Sequence, residues 1–261
     1  MRGNQAAYLA CSAGSLTVTC NLMVYPEAQP HDPPVQIADD LFVVYGSMKM
    51  QPLVRITRNM TIVRSNDELT LISPVRMDEA GLEALDALGR VRHVIRLGPM
   101  HGLDDPFYLD RYDADFWSFE DGETYPTRPG TKPLTEGMDL PFPNARLFVF
   151  NHLQQTEGAI LLERDPGILL TVDAVQTYST PPHMPHTSVL ANLLLPLLGF
   201  PRKTIIGPVW IKLLAESKEA IQPEFERLLE LPFDRMIAAH GTYLASGAHE
   251  EVSAAFRKMF K

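Results

Sequence analysis

Apolar residues recur at two periods along the chain, and the switches between them mark out its elements. Residues 41–45, 60–64 and 69–72 are short runs rich in β-branched and aromatic side chains, and they predict three successive strands with an antiparallel start. Over 76–88 the period lengthens. Leu82, Leu85 and Leu88 share one face, Asp78 stands at an N-cap position and Gly89 follows as a stop, so this stretch predicts a helix. Residues 93–97 are strand-like again and run into Gly98-Pro99-Met100-His101-Gly102, a turn at the strand's C-terminal end.

From 120 to 143 eight glycines and prolines interrupt every period, which predicts a long irregular loop. Beyond it, 145–150, 158–163 and 167–171 predict three further apolar strands, the last two separated by the turn signal Asp165-Pro166-Gly167. Helical periods follow at 187–198 and 218–231, then a strand at 235–239 and a last helix near 249–260. Two strand-rich halves, each closing with helices, predict an α/β fold: an αββα sandwich of two stacked mixed sheets with helices on the outer faces. Residues 1–37 are expected to be a poorly ordered leader ahead of one domain spanning 38–261.

With 261 residues and 45% apolar content, the chain is neither disordered nor fibrous. Its formal charge of -9 argues against a nucleic-acid partner. Both cysteines, Cys11 and Cys20, lie in the first twenty residues, so no disulfide framework is expected in the main body, and a reducing cytoplasmic setting is the default. The longest apolar stretch, 189–200, is too short for a bilayer span and contains Pro196. Residues 189–198 are apolar nearly all round. Core burial is the simplest account of them, with a homodimer interface or a cover over a lipid-like ligand as alternatives.

Four polar residues lie at or just after apolar strand ends, where α/β folds collect their functional groups: His101, Asp105, Asp173 and His240. Asp104 or Asp105 could equally cap a helix. Taken together, the order and spacing of these segments resemble the metallo-β-lactamase fold superfamily across roughly residues 38–261. That superfamily carries a His-x-His-x-Asp-His loop, a later His in a His-Thr-Pro-Gly turn, an Asp closing a strand, and a last His-Gly. Here His101 and Asp105 match the first His and the Asp of the loop, Asp173 the strand-closing Asp, and His240-Gly241 the final pair. Leu103, Pro106 and Gln155 stand where three more metal-binding His are expected, so the resemblance is to a divergent branch, and a two-metal centre is excluded.

The resemblance implies a reduced centre: one divalent metal, zinc favoured and iron or manganese also suited, held by His101, Asp105, Asp173 and His240. Its activated water would attack a small ester, amide or phosphoester, with Asp105 or Asp173 sharing the proton. The contrasting expectation is a binding or scaffold protein that keeps the fold without metal and presents loop 120–143 to a partner. An oxygen- or thiol-handling enzyme would require iron.

Around this set, His183 and His186 in a proline-rich loop, and His152, are weaker ligand candidates. Glu157 and Gln176 are expected either to support the site or to be ordinary turn polarity. Tyr108, Tyr112 and Phe116, at near-helical spacing, are expected in the core beside Trp117, with a pocket wall as the alternative. His93 is expected to be structural, and His31 and His249 exposed.

Overall fold

The structure is a computed structural model. It describes residues 7–14 and 17–24 by their backbone, and residues 25–121, 124–125, 127–178, 184–201 and 203–260 in full. β1 (Ala7–Gly14) and β2 (Thr17–Val24) form an antiparallel hairpin. A seven-stranded sheet then runs in chain order through β3 (Val35–Ala38), β4 (Leu41–Gln51), β5 (Val54–Ser65), β6 (Glu68–Ile72), β7 (Arg90–Arg96), β8 (Asp115–Ser118) and β9 (Lys132–Pro133). Its first four strands are antiparallel, and β6 to β9 are parallel. The parallel steps need crossovers, supplied by α1 (Glu79–Asp86) after β6 and α2 (Asp105–Tyr112) after β7.

The second sheet is built from β10 (Ala145–Val149), β11 (Gly158–Leu162) and β12 (Gly167–Thr171), each antiparallel to the next. A ribbon of β13 (Val175–Thr177) and β14 (Thr204–Ile206) lies outside it. β15 (Phe233–Ala238) completes the second sheet by pairing parallel to β12. The remaining helices are α3 (Val189–Leu194), continued by a 3-10 turn at Leu195–Leu198, α4 (Pro208–Leu214), α5 (Lys218–Leu229) and α6 (Ala248–Phe260).

The twofold alternation along each strand sorts its residues into separate buried layers. Leu41, Val43 and Ile72 of the first sheet meet Ile160, Leu162 and Leu170 of the second between the sheets. Their neighbours Phe42, Val44 and Leu71 face outward onto Leu82 of α1 and Phe107 and Tyr108 of α2. On the far side, Leu161, Leu169 and Met236 face Trp210, Phe225 and Val252. Three apolar layers between four layers of structure make the expected αββα sandwich. β11 and β12 are buried on both faces, which is why their sequences are continuously apolar.

Several local expectations change. From Tyr25 onward the supposed leader is packed against the domain: Tyr25 is buried edge-on against Phe107 and donates to Asp110, and β3 pairs with β4. His31 is not exposed, because its Nε2 accepts from the Asp78 amide at 2.9 Å and its side chain is covered. His249 is half-buried against Phe233. Tyr108 and Phe116 are core residues, but the helix stops at Asp113, whose left-handed backbone (φ 49°) releases the chain into β8. Most different is the 189–198 stretch, whose leucines lie at the surface: only Ala191 of α3 is buried, and no residue of the 3-10 turn is.

Candidate metal centre

Three strand ends supply the site. β12 and β15 are parallel neighbours, with Thr171 opposite Ala238, so the residues following them emerge at the same sheet edge. Asp173 and His240 each stand two residues past those ends, and the Ala239 amide donates to Thr171 O at 3.0 Å, holding them level. His101 comes from the other sheet, in the turn after β7. That turn is tied across the sandwich by the Gly158 amide donating to Leu97 O at 2.8 Å. Gly102 is needed beside it: a Cβ there would lie 2.6 Å from the Tyr125 ring and 2.7 Å from the Arg96 guanidinium carbon.

One donor atom from each of His101, Asp173 and His240 lies within 4.8 Å of the other two. His101 Nε2 is 3.1 Å from Asp173 Oδ2, and His240 Nε2 is 3.2 Å from Asp173 Oδ1. All three residues are buried, at 2%, 5% and 6% exposure, so they see little screening water. His240 Nδ1 is 2.6 Å from Thr57 O. A carbonyl only accepts, so this nitrogen carries a proton, and Nε2 is the nitrogen that faces Asp173. Gly241, at φ +95°, lets the chain bend away directly after His240, and its amide donates to Thr57 Oγ1 at 2.7 Å.

Charge states follow from these surroundings. Burial pushes the His101 imidazole below its usual range, outweighing the pull of Asp173. Burial alone would raise Asp173, but His101 and His240 hold it well below the usual carboxylate range. A neutral imidazole and an ionised carboxylate are the ligating forms of these groups. His101 Nδ1 is buried and makes no hydrogen bond among the described residues, while Asp173 Oδ2 faces His101 Nε2.

Glu157 and Gln176 both belong to the support of Asp173. Glu157 Oε1 accepts from the Asp173 and Ala174 amides at 3.0 and 2.7 Å, while burial and then the Asp173 charge raise its pKa well above the usual carboxyl range. Gln176 Nε2 donates to Asp173 Oδ1 at 3.0 Å and is itself fixed by the Tyr178 hydroxyl at 2.7 Å.

Asp105, expected as the fourth ligand, lies outside the converging group. Its Oδ2 is held by Arg96 Nε at 2.6 Å, and the neighbouring Asp104 by Arg58 Nη1 at 2.6 Å, with both pairs buried. Two arginines on strand positions that face the α1 and α2 layer require carboxylates when buried, and the adjacent aspartates satisfy them. Neither Asp caps α2 through its side chain in the way considered for Asp104: that residue is at the N-cap, but its carboxylate serves Arg58 and the Arg76 amide.

An arginine inside an apolar strand run, as in Val94-Ile95-Arg96-Leu97, was the available signal for this competition. Gln155 is instead bonded by Thr124 at 3.2 Å, and His152 is exposed beside Glu216. His186 pairs with Asp32, and His183 lies outside the described residues.

No protein-family model matches the chain, and no curated protein matches it. Solved structures do. The DIM-1 metallo-β-lactamase superposes with a TM-score of 0.62 at 8% identity, over 89% of this chain and 99% of that one. The FIM-1 metallo-β-lactamase from Pseudomonas aeruginosa, in its mono-zinc form, gives 0.59 at 10% identity, over 89% and 97%. A metallo-β-lactamase from Erythrobacter litoralis gives 0.56 at 10%, over 88% and 96%. Together with the four layers, these similarities show the fold.

Proposed function

We propose, from the premise that this chain has the metallo-β-lactamase fold, that it is a hydrolase with a single divalent metal, zinc favoured, held by His101, Asp173 and His240. The convergence of two imidazoles and one carboxylate on a buried point carries this reading. Two nitrogens and an oxygen suit zinc and leave a coordination position open.

A bound ion would supply Lewis acidity and bring the pKa of a water to about 7, suiting attack on a small ester, amide or phosphoester. Of the two carboxylates expected to share the proton, Asp173 stands in the converging group, while Asp105 is held by Arg96. Glu157, Gln176 and Thr57 hold the cluster in register. A cytosolic setting is part of this proposal, as the default for a chain whose two cysteines both lie in its first twenty residues.

A second reading is a metal-free binding or scaffold protein. It is favoured by the depth of the three residues and by the buried arginine pairs filling the space beside them. Metal analysis of protein purified without chelators or nickel separates the two. About one equivalent of zinc, falling by more than about half in His101→Ala and in His240→Ala, is the expected result. Less than about one-tenth of an equivalent of any transition metal, unchanged in both variants, would reject the metal centre in favour of the scaffold.

A further inference from the structure

The ten helical residues of α3 and its 3-10 turn are inverted relative to an ordinary surface helix. Ala191 is buried, while Val189, Leu193, Leu197 and Leu198 are 78%, 63%, 83% and 67% exposed. Large contiguous apolar exposure of this kind marks a surface that something covers. The exposure extends to neighbouring elements. Ser188 binds the β4–β5 hairpin through its amide to Arg55 O at 2.9 Å and its hydroxyl to Leu53 O at 3.0 Å, bringing the exposed Leu53 alongside. At the other end Gly199 lies beside Pro208, the first residue of α4, which exposes Leu213.

Charge identifies the covering partner. The chain holds 32 acidic residues and a net charge of -9, yet residues 184–201, 203–215 and the hairpin residues 49–55, on which these exposed side chains lie, contain no Asp or Glu; Asp32, from outside these segments, pairs with His186. Lys49, Lys203 and Lys212 are exposed on the same segments. We infer that this face is a docking surface for an anionic lipid bilayer, with the leucines entering the interface and the lysines meeting the headgroups. Exposed apolar side chains on a short helical element, with lysines on the adjoining segments, supply the two attractions of interfacial attachment. No described helix is long and apolar enough to span a membrane, so attachment here is peripheral. A second copy fits less well: a twofold interface sets a patch against itself, and these segments supply lysines without a carboxylate to meet them.

The test is co-sedimentation of the full chain with vesicles of phosphatidylcholine alone, or with about one-third phosphatidylserine, at low salt and at about 0.5 M salt. Binding to the anionic vesicles at least about tenfold above the neutral ones, weakened by salt, is expected. Leu193→Ser/Leu197→Ser should lose at least about tenfold, and Lys203→Glu/Lys212→Glu should lose the anionic preference. Because all four positions are exposed, unchanged thermal melts are expected to show that the variants fold. Equal or negligible binding to both vesicles would overturn the inference, as would a folded leucine variant binding like the parent. Failure to bind vesicles, combined with a dimer in sedimentation equilibrium that the leucine variant dissociates, would assign the face to a second copy instead.

Discussion

At Asp105 and Arg96 the chemistry is that of a buried ion pair. Burial raises the Asp105 pKa and Arg96 opposes the rise, so each charge is tolerated because of the other. Arg96→Leu is expected to lower the unfolding free energy at neutral pH by about 3–5 kcal/mol, because it strands a carboxylate in the core. Arg96→Leu/Asp105→Asn should lose clearly less than the sum of the two single variants in urea unfolding, since neither charge is then left alone. Strict additivity would mean that the two side chains do not stabilise each other. The arginine was visible in the sequence as a charge within an apolar strand. Its partner was not, because Asp104 and Asp105 looked equally suited to cap a helix or bind a metal.

Among the elements, α5 shows how an outer helix is fixed to the layer beneath it. Glu224 accepts from the Asn151 amide at 2.9 Å and from Arg227 Nη2 at 2.7 Å, joining the helix to the chain that follows β10. Burial would raise its pKa, but the Asn151 amide and Arg227 together hold it below the ordinary glutamate range. A depressed folded-state pKa contributes stability above the unfolded value of about 4.3, and that contribution is lost as pH falls through the folded value. Glu224→Gln should therefore be less stable than the parent above about pH 5, and the gap should close toward about pH 3, read from urea midpoints across that range. A gap that stays constant with pH would show that Glu224 acts through packing alone. The helix itself was legible from its period, with Ser217 as its cap. The end-to-strand contact had no counterpart in the sequence pattern.

For the whole molecule, stability rests most directly on the layer between the sheets, where Leu170 is 2% exposed among residues from both. Leu170→Ala is expected to cost about 2–5 kcal/mol in denaturant unfolding, with both sheets melting in one transition. Two separate transitions would mean that the sheets fold as independent units. The same layer fixes the site, since Asp173 and His240 leave one sheet and His101 the other. Changes in the inter-sheet core should therefore be felt at the candidate site before changes on the helical faces are.

By itself the sequence determined the strand and helix periods, the cap at Asp78, the apolar runs that become β11 and β12 and hence the layered fold. These are local signals, set by the alternation of side chains along a single element. It also singled out His101, Asp173 and His240, because each is a polar residue just past an apolar strand. Only the tertiary structure decided which of the four candidates meet, because convergence depends on the parallel register of β12 with β15 and on the distance across the sandwich. The same holds for the 189–198 stretch: a run of leucines has the same period whether it is buried or exposed, and its position was settled by what other elements packed against it.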